Sequence, residues 1–359
     1  MPSPLQLRGT SRLATEAITG VIDLVEAMHA QIARVPLTAP RERTTGITGL
    51  VYRSVRGMTR LVGGGLDLAL DALAPLLGQV DADQASAAQA ALNGVLGDYL
   101  EATANPLATP MSLRPLVEGA TGEPLVFLHG LCMNEAQWRR DGADFPAALA
   151  ALGYRPLGLR YNTGRPVWRN GAELAELLDD VPGPLTLLGH SMGGLVARSA
   201  IAQAGGRSWP RRLRRLVTLG TPHLGAPLER GGQQVQQLLA LSAYSRPFAA
   251  LAARRSAGIR DLAHGSLLEA DAGRASRLPL PDGVACYAVA ATTAREPAGP
   301  PARWLGDGLV PVASALGQHR EATRRLAFTD TAVFAGLGHL ALQTDAAVLR
   351  QLQAWLARR

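Results

Sequence analysis

Residues 185–198 constrain the fold of this chain more than any other stretch. They read LTLLGHSMGGLVAR, so an apolar strand pattern runs directly into Gly-x-Ser-x-Gly and then into a helical pattern. A very tight turn between strand and helix holds the hydroxyl of Ser191 clear of the backbone, and Gly189 and Gly193 leave space that a Cβ would fill. The pattern predicts a nucleophile elbow, with a purely structural glycine turn as the alternative.

The pattern on either side of this turn predicts the fold class. Strands and helices alternate over residues 113–359, which favours a mostly parallel sheet with helices on both faces. The apolar run 124–128 is typical of a strand buried on both faces. Further strands are predicted at 155–160, 213–219, 284–291 and 325–329, and further helices at 141–152, 171–179 and 340–356.

Two regions depart from this alternation. Residues 1–112 are predicted to form a separate helical region, with amphipathic stripes at 10–32 and 47–62. Such helices cover a core or a subunit contact, or they lie on a lipid surface with their basic side exposed. Residues 226–280 show helical patterns without a strand, and an insertion of this length is typical of a cap or lid.

A serine hydroxyl is a weak nucleophile at neutral pH, so it requires a base, usually a histidine, and a carboxylate that orients this base. His339 lies between the last predicted strand and the last predicted helix, and we predict it as the base because the order Ser, acid, His requires a late histidine. Asp307, in the motif GDGLVP, is the predicted acid, and Asp330 is the alternative. The competing histidines are His223, His264 and His319.

An oxyanion site requires two backbone N–H donors that are fixed before the reaction. Met192, directly after the nucleophile, supplies one donor, and Leu131, directly after His129-Gly130, is predicted to supply the other, with Cys132 as the alternative. The sequence contains no HExxH motif, no paired Cys or His at ligand spacing and no phosphate-binding glycine loop, so we expect neither a metal nor a cofactor.

Charge and composition bear on the partners and the location of the chain. All 36 basic residues are arginines and the net charge is +7. Such a balance can attract an anionic partner, but the absence of lysine from a chain rich in alanine, glycine and proline favours a GC-rich genome as its cause. An aromatic content of 4% leaves few groups to stack on bases, so we expect no nucleic-acid partner. Residues 1–34 show no secretory signal, and no apolar run reaches the roughly 18 residues of a spanning helix. The prediction is a cytoplasmic protein, with peripheral membrane association through the N-terminal helices as an extension of it.

Taken together, the motifs resemble the α/β-hydrolase superfamily, and within it bacterial lipases, GPI-inositol deacylases and lecithin:cholesterol acyltransferases. The resemblance spans residues 120–356 and depends on His129-Gly130, GHSMGG at 189–194, LGTPH at 219–223, GDGLVP at 306–311 and Gly338-His339.

This resemblance implies an activity and leaves two alternatives open. It implies hydrolysis of small-molecule or lipid esters through an acyl-serine, with a helical cap over an acyl-binding cleft. One alternative is an acyltransferase, in which an alcohol instead of water resolves the acyl-enzyme. The other is a protein that binds lipid or polyester surfaces and hydrolyses esters as a secondary activity.

Overall fold

The computed structural model describes residues 82–226, 256–295 and 306–358. The stripes at 10–32 and 47–62, and with them the predicted lipid contact, lie outside the described residues.

The chain divides into two compact units. One unit comprises residues 1–85 and 100–108, and the other comprises residues 86–99 and 109–359. Helix α1, Ala82–Ala102, therefore contributes residues to both units. The sequence-based division at residues 112 and 113 stays a prediction.

The second unit contains a seven-stranded sheet with the order β1-β3-β2-β4-β5-β6-β7. Strand β1 is antiparallel to β3, and every other neighbouring pair is parallel, as the alternating sequence pattern predicts. The strands are β1 Ser112–Pro115, β2 Glu123–Leu128, β3 Tyr154–Arg160, β4 Leu185–His190, β5 Leu213–Leu219, β6 Ala285–Thr292 and β7 Asp330–Ala335.

Helices connect most of these strands. After α1, the α-helices of the described ranges are α2 Phe145–Ala150, α3 Val167–Leu177, α4 Met192–Ala202, α5 Ala257–His264, α6 Val312–Ala315 and α7 Ala346–Leu356. Short 3-10 turns occur at Glu135–Trp138, Leu178–Asp180, Trp209–Arg212, Glu269–Asp271, Ala322–Arg324 and His339–Gln343.

Both faces of the sheet are covered, because side chains alternate between the faces along each strand. In β6, Val289 belongs to a core cluster with Phe145 of α2 and Trp355 of α7. Its neighbour Ala288 belongs to a second cluster with Ala315 of α6. This arrangement confirms the predicted α/β class with helices on both faces.

The predicted strand 325–329 is wrong, because the last strand begins at Asp330. The segment before it is a connection in which the Leu326 N–H donates to the Gly317 carbonyl at 3.0 Å. Pairing with β6 starts only where Tyr287 faces Asp330. An edge strand that is half exposed carries a weak apolar pattern, and so its position in the sequence is poorly specified.

Two predicted helices are shorter than their apolar patterns. The Asp144 carboxylate accepts the Ala147 N–H at 2.8 Å and thereby starts α2 later than predicted. Asp345 accepts the Ala347 N–H at 2.8 Å and starts α7, which separates it from the 3-10 turn at 339–343. Capping side chains therefore set both boundaries.

Of the predicted cap, the structure describes residue 226 and residues 256–280. These residues form α5 and a 3-10 turn, and they contain no strand. None of the helices formed by the described residues combines the length and the hydropathy that spanning a bilayer would need.

Helix α5 is attached at its start and near its middle. The Ser256 hydroxyl before α5 donates to the Gly94 carbonyl of α1 at 2.8 Å. Within the helix, the Asp261 carboxylate accepts the Val167 N–H, the first amide of α3, at 2.8 Å. The described part of the cap is therefore bonded to two neighbouring helices, one of which is α1.

Candidate active site

Ser191 occupies the turn between β4 and α4, as the elbow pattern predicts. Its backbone has φ +54° and ψ −122°, a conformation that residues other than glycine adopt rarely and at a cost in free energy. The Ser191 N–H donates to the Leu219 carbonyl at the end of β5 at 2.8 Å, which holds this turn against the neighbouring strand. The Ser191 side chain makes no capping hydrogen bond to α4.

The glycines of the motif are required by close backbone contacts. A Cβ added to Gly189 would lie 2.5 Å from the Gly194 nitrogen, inside van der Waals contact. A Cβ on Gly193 would collide with the Leu128 carbonyl at the end of β2. The spacing of the motif therefore follows from how tightly β2, β4 and α4 approach one another.

His339 and Asp307 form a buried hydrogen-bonded pair. The His339 Nδ1–H donates to Asp307 Oδ2 at 2.7 Å, and both side chains are almost fully buried. Because a carboxylate only accepts, this bond places the ring proton on Nδ1 and leaves the Nε2 lone pair free to take a proton. Asp307 Oδ1 accepts the amides of Leu309 at 3.0 Å and Val310 at 2.8 Å, so the carboxylate is held in one orientation.

Ser191 and His339 line the same pocket, at the carboxyl ends of the parallel strands. A Cβ on Gly220, which has φ +56°, would lie 3.0 Å from Asp307 Oδ2 and 3.2 Å from His339 Cε1, so a larger residue there would displace the pair. The structure thus brings the predicted nucleophile, base and acid to one edge of the sheet. The other described residues of the lining are apolar: Pro222, Ala226, Leu262, Leu309 and Val310.

The two predicted oxyanion donors flank Ser191. Met192 is the first residue of α4, where an N–H group has no acceptor inside the helix and the helix dipole is positive. Leu131 follows β2 directly after Gly130, and a Cβ on Gly130 would lie only 3.1 Å from the Ser191 Cβ. The backbone that carries the Leu131 amide therefore passes directly beside Ser191.

His190 has a contact that sequence reasoning missed, because it joins positions far apart in the chain. The His190 Nε2–H donates to the His339 carbonyl at 3.0 Å, and the two rings lie 4.7 Å apart. Burial holds the pKa of His190 well below its usual range, so the ring is neutral. The bond ties the residue before Ser191 to the backbone of the predicted base, across 149 positions of sequence.

We expect His190→Leu to lower kcat by about 10-fold to 100-fold, since a shift of about 1 Å in a catalytic group can cost that much. His190→Gln keeps a side-chain N–H and is expected to recover most of the loss. The check is kcat on an activated ester together with the melting temperature. Equal losses of kcat in both variants would mean that ring packing matters and the N–H does not.

The alternative candidates for the base and for the acid have other hydrogen-bond partners. The Arg198 guanidinium donates to His223 Nδ1 at 3.2 Å, and burial holds the pKa of His223 well below its usual range. The Asp330 carboxylate accepts the Trp355 Nε1–H at 2.9 Å instead of contacting His339. The remaining two histidines bond to backbone, His264 to the Arg260 carbonyl and His319 to the Glu321 amide.

No group of three or more His, Cys, Asp or Glu side chains in the described ranges is arranged as metal ligands would be.

Comparison with known proteins bears on the same region. Residues 175–266 match the model of the PGAP1-like alpha/beta domain family, a segment that contains β4, the turn at Ser191 and β5. This match confirms the resemblance expected from the motifs. No curated protein matches the sequence.

Solved structures are similar at low identity. The mature lipase BlEst2 of Bacillus licheniformis is 20% identical, with 69% of this chain and 98% of that chain covered and a TM-score of 0.46. A thermophilic esterase is 16% identical, with coverages of 69% and 94% and a TM-score of 0.44. A soluble variant of monoglyceride lipase from Saccharomyces cerevisiae is 12% identical, with coverages of 70% and 90% and a TM-score of 0.41.

Proposed function

We propose that the protein is a serine hydrolase of carboxylic esters. Two findings support this proposal: the lipase- and esterase-like α/β-hydrolase fold, and the resemblance to the PGAP1-like group around Ser191. One observation carries the proposal: the His339 Nδ1–H donates to Asp307 Oδ2 at 2.7 Å, beside a pocket that His339 shares with Ser191. The paired carboxylate sets the tautomer in which His339 can act as a base.

In the proposed acylation step, the Ser191 oxygen attacks the carbonyl carbon of the ester while its proton passes to His339 Nε2. The resulting oxyanion accepts hydrogen bonds from the N–H groups of Leu131 and Met192. When the tetrahedral intermediate collapses, the C–O bond to the alcohol breaks and His339 returns the proton to the departing oxygen. The alcohol leaves and an acyl-serine remains.

Water completes the proposed cycle. The oxygen of a water molecule adds to the acyl carbon while His339 Nε2 takes a proton from that water. The N–H groups of Leu131 and Met192 stabilise the second oxyanion. Collapse breaks the bond to Ser191, which recovers its proton from His339, and the carboxylic acid is released.

The described lining of the pocket supports an acyl group as the part of the substrate bound beside Ser191. Pro222, Leu262, Leu309 and Val310 offer apolar contacts and no charge. Apolar walls with a few oriented polar groups are typical of small-molecule sites, and here the polar groups are those of the reaction itself. We therefore propose small-molecule or lipid esters with an apolar acyl chain as substrates.

The test combines turnover with covalent labelling. Purified protein is assayed on p-nitrophenyl esters from acetate to palmitate, and a fluorophosphonate is used to trap the nucleophile, followed by peptide mass analysis. We expect hydrolysis, one adduct on the peptide that contains Ser191, and activity that falls in proportion to labelling. A folded protein that hydrolyses none of these esters, or that is labelled elsewhere, would contradict the proposal.

Addition of an alcohol to the same assay separates the acyltransferase alternative. A hydrolase releases the free acid as its main product at low alcohol concentration. If ester exchange predominates although water is abundant, the protein is instead an acyltransferase, in which an alcohol resolves the acyl-enzyme.

A further inference from the structure

The loop after β2, residues 129–133, is held by side chains from the segment after β3, and this loop carries the proposed donor at Leu131. The Tyr161 hydroxyl donates to the His129 carbonyl at 2.6 Å. The Tyr161 ring also stacks on the His129 imidazole, with the ring centroids 4.5 Å apart. The start of the loop is therefore fixed by both a hydrogen bond and a ring contact.

The other side of Leu131 is held by Thr163. The Cys132 N–H donates to Thr163 Oγ1 at 3.1 Å. Cys132 has φ +61°, a left-handed conformation that a residue with a Cβ adopts only where its surroundings enforce it. Helix α1 packs closely against the loop at Cys132, because a Cβ on Gly94 would collide with the Cys132 sulfur.

The segment that carries the two anchoring side chains is held by the residue between them. The Asn162 carboxamide donates to the Gly97 carbonyl of α1 at 2.9 Å and accepts the Gly164 N–H at 3.0 Å. The Asn162 carbonyl accepts the Asn170 side-chain N–H of α3 at 2.9 Å. Tyr161, Asn162 and Thr163 therefore lie on a segment that is bonded to two helices.

We infer that Tyr161 and Thr163 are positioning residues for the oxyanion donor at Leu131, an inference that rests on the proposed ester hydrolysis. Their bonds fix the carbonyl two residues before Leu131 and the amide one residue after it. Both side chains are buried and neither belongs to the described lining of the pocket, so they act through the loop and not on the substrate. Burial raises the pKa of Tyr161 further above its usual range, so its hydroxyl remains a donor.

The test uses substitutions that remove one polar group and keep the volume. Tyr161→Phe keeps the ring that stacks on His129 and removes the hydroxyl, and Thr163→Val removes the acceptor oxygen. Thr163→Ser restores that oxygen. The matched control is Tyr154→Phe, because the Tyr154 hydroxyl is also buried and donates to a backbone carbonyl, that of Leu356 at 2.9 Å, but at the opposite end of β3.

We expect each of Tyr161→Phe and Thr163→Val to lower kcat about 10-fold and the double variant about 100-fold, since loss of one oxyanion donor costs about 10²- to 10³-fold in kcat. KM is expected to stay within about 3-fold, because the loop acts on the transition state and not on the bound ester. A trifluoromethyl ketone, which forms an oxyanion on Ser191, is expected to lose affinity in proportion to kcat. Thr163→Ser and Tyr154→Phe keep kcat near the wild-type value.

Amide hydrogen exchange of the peptide that spans residues 129–133 tests the anchoring without any turnover. Faster exchange in Tyr161→Phe and Thr163→Val, with no change in Tyr154→Phe, is the expected result. Unchanged exchange, or a loss of kcat in Tyr154→Phe equal to that in Tyr161→Phe, would overturn the inference. Because exchange needs no substrate, a failure of the proposed ester hydrolysis would show separately, as a wild type without activity.

Discussion

Ser191→Ala is expected to lower kcat for ester hydrolysis by about 10⁵- to 10⁶-fold, the size of loss that follows when a serine nucleophile is removed. The substitution deletes the one atom that would form the acyl bond. Alanine keeps the Cβ, and the Ser191 hydroxyl does not cap α4, so the turn and the helix lose no bond. The measurement is kcat on a p-nitrophenyl ester, with far-ultraviolet circular dichroism and the melting temperature as checks on the fold.

A second serine on the same helix is the matched control. The buried Ser199 hydroxyl donates to the Leu267 carbonyl at 2.6 Å and accepts the Gln203 side-chain N–H at 2.9 Å, so Ser199→Ala removes two structural hydrogen bonds. We expect this control to lower the melting temperature, at a cost of about 2 kcal/mol in the free energy of unfolding, and to keep kcat within a few fold. Activity of Ser191→Ala within 10-fold of the wild type would exclude Ser191 as the nucleophile.

Asp307→Asn is expected to lower kcat by about 10⁴-fold while the protein stays folded. The carboxamide oxygen can keep the bonds to the amides of Leu309 and Val310, so the loop retains its support. Its NH₂ group would then face His339 Nδ1 and donate where the carboxylate accepted. That bond forces the imidazole proton onto Nε2, and His339 can no longer take the proton of Ser191.

The control for this substitution is Asp330→Asn, at the acidic residue that sequence reasoning kept as the alternative. Asparagine can still accept the Trp355 N–H, and Asp330 is partly exposed, so kcat and folding are expected to change little. A large loss of kcat in Asp330→Asn with none in Asp307→Asn would reverse the assignment of the acid. The pair of variants therefore decides between two carboxylates that position in the chain left open.

The elbow could be predicted from sequence because its causes are local. An apolar strand, glycines at fixed spacing and a helical pattern occur within 14 consecutive residues, and close backbone contacts at Gly189 and Gly193 require those glycines. His339 and Asp307 were predicted from chain order, and the structure brings them together at 2.7 Å. Chain order carries this information because parallel strands place their carboxyl ends, and the loops that follow, at one edge of the sheet.

Weakly patterned elements could not be predicted in the same way. The last strand begins at Asp330, after the predicted strand 325–329 has ended, and its alternation of burial is shallow because it lies at the edge of the sheet. Pairing with β6, and not a local preference, decides where it begins. The predicted start of the last helix, at residue 340, is too early because the apolar pattern continues across Asp345. The capping role of Asp345 depends on its conformation, and α7 begins only after it, at Ala346.

The sequence by itself determined the class of the fold, the strand, turn and helix around Ser191, and the order in which the candidate catalytic residues occur. Only the tertiary structure decided which side chains hold those residues in place. The bond from His190 to the His339 carbonyl joins positions 149 apart, and Tyr161 reaches the His129 carbonyl across 32 positions. Such contacts leave no periodic or compositional signal, because they depend on which strand ends become neighbours in the folded sheet.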